Sequence, residues 1–250
     1  AGFTNVNAQS FSQNGINFDS KGAISNGTSL MFGPDGRLYV AEYTGQIKIF
    51  TIQRNGPGDY VVLKAEVLNG ILEIEDHNDD GTLYSSTERE TIGLTVSGTS
   101  ANPVIYVTSS DFRIGAGGGG DVGLDTNSGF ITRLTWNGSA WDEVDIVRGL
   151  PRSEENHATN GLEFVTVNGT DYLIVAQGGH TNAGGPSKNF AYTTEYALSA
   201  AVLSVNLTQI ESMPILDDNG RKYIYELPTL DAPTRENVNG VTEPDAPGYD

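Results

Sequence analysis

Asp76, Asn78 and Asp80 place oxygen-bearing side chains at alternating positions, and Gly81 follows them. The pattern resembles the first half of a calcium loop, in which alternate residues turn hard oxygen ligands toward one ion and a glycine allows a sharp turn. The carboxylate that would complete such a loop falls at Thr87, with Glu88 beside it. The competing reading is a solvated acidic turn that includes His77. Asp217-Asp218-Asn219-Gly220 reads more simply as a hairpin turn. The glycine-rich stretch from Arg113 to Asp125 has no lysine and runs into a strand, so it is no phosphate cradle. Read as a loop on one face of the fold, it makes Asp111 and Arg113 candidate substrate contacts. His180 sits in a second glycine-rich stretch and could share a face with His157, but their spacing matches no metal-ligand pattern. An exposed loop histidine is the expectation there.

Composition bounds what these residues can serve. The chain has 250 residues, 32 acidic side chains against 14 basic ones, a formal charge of −18, and no cysteine. So acidic a surface repels phosphate backbones, which argues against nucleic-acid partners. Without cysteine there is no disulfide framework, no thiolate metal site and no thiol nucleophile. No apolar run reaches the ~18 residues of a membrane span. Low lysine with abundant Asp, Asn, Gly and Thr fits a secreted or extracellular protein, with the periplasm as the other setting.

The elements that must position the candidates are strands. Helical periodicity is nearly absent, and the best helical stretch is Phe190–Ser199. Three stretches align: Ser29–Tyr43, Thr91–Ser110 and Asn160–Gly179. Each is an apolar strand, a turn rich in Gly, Asp or Asn, and a second apolar strand, the chemistry a hairpin needs. Each is followed by a further strand pair. The order predicts an all-β fold, a β-propeller of four-stranded antiparallel blades. About three blades fall in this chain, at roughly 27–75, 91–150 and 160–230, with 231–250 as loop or linker. A β-sandwich is the alternative. Three blades do not close a ring, so the reading is a single partial propeller whose remaining blades lie in the same or a partner chain.

Three motifs carry a family resemblance. The stretch from Arg148 to Phe164, "RGLPRSEENHATNGLEF", is similar to the Gly-Leu-Pro…His segment of soluble glucose/sorbosone dehydrogenases, six-bladed propellers that use pyrroloquinoline quinone. "ERETIGLTVSGTSANPVIYVTSS" resembles that family's Gly-Leu-Leu-Gly strand, turn and following strand. "FGPDGRLYVAE" is shared with many propellers. The resemblance covers roughly Thr28 to Leu207. It implies oxidation of a sugar hydroxyl, with His157 as general base, pyrroloquinoline quinone as cofactor and Ca2+ as a further candidate. It aligns Gln177 with a carboxylate that orients the histidine, and places a polar site residue near Glu88. Gln177 is a departure, because an amide does not stabilise imidazolium as a carboxylate does. The residues that grip the quinone fall mostly in blades this chain lacks. The rival expectation is a non-catalytic extracellular module binding sugar, polysaccharide or a protein partner.

Overall fold

The computed structural model describes residues 13–115, 122–181, 190, 195 and 197–227. The chain is all-β there: one five-residue α-helix and one short 3-10 turn stand among sixteen strands. Most of the expected helix at Phe190–Ser199, and the expected loop at 231–250, lie outside the described residues. Among the described residues no helix is long and apolar enough to cross a membrane.

The N-terminal segment supplies one short strand, β1 (Ile16–Asn17). The first sheet is then an antiparallel meander of β2 (Gly27–Phe32), β3 (Leu38–Glu42), β4 (Ile47–Gly56) and β5 (Asp59–Leu68), with β1 parallel on the outer edge of β5. A two-stranded ladder of β6 (Asp76–His77) and β7 (Leu83–Tyr84) links it to the second sheet. That sheet continues the pattern with β8 (Glu90–Gly98), β9 (Pro103–Ser110), β10 (Gly129–Trp136) and β11 (Trp141–Leu150). The β10–β11 turn shows how the sequence specifies its hairpins. Gly138 has φ +100°, and the Asn137 carboxamide oxygen accepts from the backbone N–H of Ser139 and Ala140.

The third sheet has three strands, β12 (Thr159–Val167), β13 (Thr170–Gln177) and β14 (Ala201–Asn206), followed by a short helix α1 (Leu207–Glu211). Here the fourth strand expected from sequence goes elsewhere. The turn at Asn219-Gly220 joins β16 (Arg221–Glu226) not to β14, as the order of strands suggests, but to a short strand β15 (Leu216–Asp218), and β16 lies parallel to β11 on the outer edge of the second sheet. The alternating pattern of Arg221–Glu226 announces a half-buried strand without naming its neighbour. The neighbour is chosen by Asp145 on β11, which takes Arg221 in two bonds, Nε at 2.6 Å and Nη2 at 2.7 Å.

The three sheets stack face to face. Ile105 and Val107 of β9 pack with Tyr39, Ile47 and Ile49 of the first sheet. Tyr106, between them in sequence, points the other way and packs with Leu162, Leu173 and Val175 of the third. Period-two alternation thus covers both faces of the second sheet. The first strands lie side by side, β2 against β8 and β8 against β12. Thr28 Oγ1 donates to the Thr91 carbonyl at 2.7 Å, and Thr108 Oγ1 to the Asn160 carbonyl at 2.7 Å. Gly93 permits the second approach, since a Cβ there would sit 2.4 Å from the Asn160 oxygen. The outer face of the third sheet has no such cover at Val202, which is 75% exposed.

Candidate functional site

Strand register brings the polar residues to one end of the stack. Gly27 pairs with Glu42, Glu90 with Ser110, Gly129 with Leu150, and Thr159 with Gln177. The starts of β2, β8, β10 and β12 and the ends of β3, β9, β11 and β13 therefore share that end.

Its floor is ionic and dry. Arg89 and Arg152 are 1% and 0% exposed. Arg89 donates to Asp76 Oδ1 at 2.5 Å, to Ser109 Oγ at 3.0 Å and to the Ser128 carbonyl at 2.6 Å. Its guanidinium also lies over the Phe130 ring. Arg152 pairs with Glu90 at 3.1 Å and donates to the carbonyls of Asp111, Arg113 and Ser153. Burial pushes the Glu90 carboxyl up to about 7, and Arg152 offsets only part of that. Burial likewise pushes Asp76 up to about 6 against the pull of Arg89.

The expected calcium loop is a different object. Asp76 Oδ1 faces Arg89. Asn78 Oδ1 accepts from Arg113 Nη1 at 2.6 Å. Asp80 Oδ1 accepts from the Thr82 backbone N–H at 3.0 Å and its hydroxyl at 2.6 Å. Guanidinium groups and a local turn hold the three oxygens, and β6–β7 pairing shapes the segment as a hairpin. Among the described residues no group of three or more His, Asp or Glu is arranged to hold a metal ion. Asp111 and Arg113, expected to contact substrate, instead satisfy each other. Asp111 is fully buried and accepts from Arg113 Nη2 at 2.7 Å and Nε at 3.1 Å. The Arg113 guanidinium is stacked 3.9 Å from the Tyr84 ring centroid. The middle of the glycine-rich loop, 116–121, lies outside the described residues.

His157 is the candidate whose ring meets a backbone carbonyl and no ion-pair partner. It is partly exposed, its backbone N–H donates to Ser153 Oγ at 2.8 Å, and its ring packs against Phe190. Nδ1 lies 2.8 Å from the Gly179 carbonyl oxygen. A carbonyl can only accept, so Nδ1 carries the proton and the neutral ring keeps its lone pair at Nε2. Gly178 makes the approach possible. A Cβ there would stand 2.9 Å from both His157 Cβ and the Ala158 oxygen.

Gln177 does not touch the imidazole. Its Oε1 accepts from Thr159 Oγ1 at 2.9 Å, and its Nε2 donates to the Pro151 carbonyl at 2.7 Å. It ties together the two ends of the loop that carries His157. Glu88 is half-buried, with its backbone bonded to Ser86, and Glu90 takes the strand-opening position instead. His180 is 1% exposed, not an open loop residue, and burial pushes its imidazole down to about 3, so it stays neutral. Glu90, Arg152 and Glu195 were not among the sequence candidates. Register would have found the first, because Glu90 opens β8 as Thr159 opens β12. Arg152 lies inside the Gly-Leu-Pro…His segment itself.

A cleft of about 340 Å3 opens beside the Asp76–Asp80 loop, with Glu73, Asn78, Asp125, Arg148 and Arg221 in its wall and His157 outside it. Arg148 is paired there with Asp218 and Glu226, and Arg221 with Asp145.

No protein-family model matches the chain, and no curated protein matches it. Among solved structures it is similar to two of a Trichoderma reesei carbohydrate-active enzyme of family AA12. The iodide structure shows 15% identity and a TM-score of 0.44 over 74% of this chain and 37% of that one. The calcium structure shows 14% identity and a TM-score of 0.45 over 82% and 39%. A GH43 β-1,3-galactosidase with galactodeoxynojirimycin shows 9% identity and a TM-score of 0.31 over 79% and 44%. The chain spans less than half the length of each. Likeness at this level assigns it no activity.

Proposed function

We propose that this chain is part of an extracellular, sugar-directed β-propeller, and that His157 Nε2 accepts the proton of a sugar hydroxyl. The single observation behind this is the 2.8 Å bond between Nδ1 and the Gly179 carbonyl, which leaves Nε2 as the basic nitrogen of a partly exposed ring. Imidazole suits the task because its ordinary pKa lies near neutral pH. Two antiparallel four-strand meanders, side-by-side first strands and the bare Val202 face support a stack that continues into further sheets.

The resembled family's cofactor is pyrroloquinoline quinone. That cofactor carries carboxylates and needs spare cations. Arg89, Arg113 and Arg152 are each turned onto protein acceptors, and Lys48 onto Glu42 and the Ala23 carbonyl. These four cations do not fit the quinone, so the acceptor of the hydride in any oxidation would be held by residues other than these. The same observation favours a second reading, a sugar-binding module without redox chemistry.

Dye reduction by the full-length protein with aldoses, quinone and calcium separates the two. The first reading expects turnover that falls by at least about 10²-fold in His157→Ala, the usual worth of a general base. Turnover indifferent to His157→Ala overturns the assignment of the base. Absence of turnover, with aldose binding still seen by calorimetry, selects the module.

A further inference from the structure

We propose that Glu195 is the positioning residue for His157 and acts through the peptide bond between Gly179 and His180. The inference rests on the reading of His157 as a base. Glu195 Oε2 accepts from the His180 backbone N–H at 2.8 Å and from Ser199 Oγ at 2.5 Å. Its Oε1 accepts from the Thr181 backbone N–H at 2.9 Å and from Thr181 Oγ1 at 2.7 Å. The His180 N–H and the Gly179 C=O belong to one planar trans peptide, so they point in opposite directions. A carboxylate that holds the N–H on one side therefore aims the C=O to the other, where His157 Nδ1 meets it at 2.8 Å.

The result is a relay in which imidazole donates to carbonyl and the same amide donates to carboxylate. A charged acceptor on the amide polarises the peptide and makes its carbonyl a better acceptor, as chained hydrogen bonds do. Glu195 also fills the space over Gly179, where a Cβ would lie 3.0 Å from Oε1. The carboxylate sought at position 177 thus stands one peptide bond from the ring. Burial pushes the Glu195 carboxyl up, but the hydrogen bonds from Ser199, the His180 N–H and Thr181 outweigh it and hold Glu195 below the usual carboxylate range, so it is charged whenever His157 works.

The test is the tautomer of neutral His157, read from 15N shifts and N–H couplings of histidine-labelled protein above pH 8, with its signals assigned by loss in His157→Gln. The parent protein is expected to show the Nδ1–H form. In Glu195→Ala the ratio of Nδ1–H to Nε2–H should fall about five-fold, the worth of one net neutral hydrogen bond. Glu195→Gln keeps the shape and one acceptor oxygen and should shift the ratio the same way by less. Should Glu195→Ala fail to fold by circular dichroism, Glu195→Gln is read in its place. A folded Glu195 variant with the parent ratio overturns the proposal. A parent already in the Nε2–H form overturns the reading of His157 as base, which separates the two failures.

Discussion

Two loops at the same end of the stack reach opposite outcomes from similar polar sequences. The Asp76–Asp80 loop turns its oxygens inward, onto Arg89 and Arg113, and becomes part of the scaffold. The Pro151–Ala158 loop turns its polar backbone inward, onto Arg152 and Gln177, and leaves the His157 ring partly outside. A saturated, buried side chain has spent its chemistry on folding. A side chain tied at one atom and open at another still has chemistry to offer. What sorts the two loops is that Arg89 and Arg113 take side-chain oxygens of the first, Asp76 and Asn78, whereas Arg152 and Gln177 take backbone carbonyls of the second, Ser153 and Pro151.

The widest gap between the loops should open in Arg89→Met. It leaves Asp76 buried without its partner and should cost about 3–5 kcal/mol in urea unfolding, as breaking a buried pair does. The folded fraction should retain the His157 tautomer of the parent, and loss of that tautomer would show that the loops are one unit.

Acid and alkali should separate them next. Asp76 keeps its proton up to about 6 in the folded state, above the ordinary carboxylate value. Its contribution is complete below about pH 4 and lost as pH rises through 6. His180 is held neutral down to about 3, so its contribution is complete above the ordinary histidine pKa of about 6.5 and lost as pH falls. Unfolding free energies from urea curves between pH 4 and 8 should show Asp76→Asn reducing the decline on the alkaline side, where Glu90 supplies the rest, and His180→Gln reducing the decline on the acid side. Each difference should be on the order of 2–4 kcal/mol.

Gln177→Leu sharpens the comparison at smaller scale. It strips partners from the Pro151 carbonyl and the Thr159 hydroxyl and should cost about 1–3 kcal/mol. It should also broaden His157 resonances while leaving Tyr84 unmoved. Asp80→Ala should do least, within about 1 kcal/mol, because the residue is exposed and serves a local turn. Its thermal midpoint should respond to millimolar calcium as the parent's does; a response lost in Asp80→Ala would restore the calcium loop.

Strands and hairpin turns were legible because their signals are local. Period-two alternation and Asn-Gly pairs located β8–β13 to within a few residues. The partner of β16 was not, because an amphipathic strand fits any edge and Asp145 is remote in sequence. His157 was legible only through a family motif. The burial of His180 was hidden because a Gly, Thr and Asn context reads as surface. Glu195 carried no signal, since it acts on backbone N–H groups that every residue possesses.

β16 also orders events in time. A ribosome releases β11 long before Tyr223, its partner's residue opposite Asp145, has been made. Through that interval the second sheet has an unpaired outer strand, and the whole third sheet is synthesised beside it. An open edge next to newly emerging strands invites the wrong pairing. The charges that later bind β16 first act as guards: until Arg221 arrives Asp145 has the Thr132 hydroxyl but no cation, and a carboxylate without a counter-charge on an edge repels the many acidic segments of this chain.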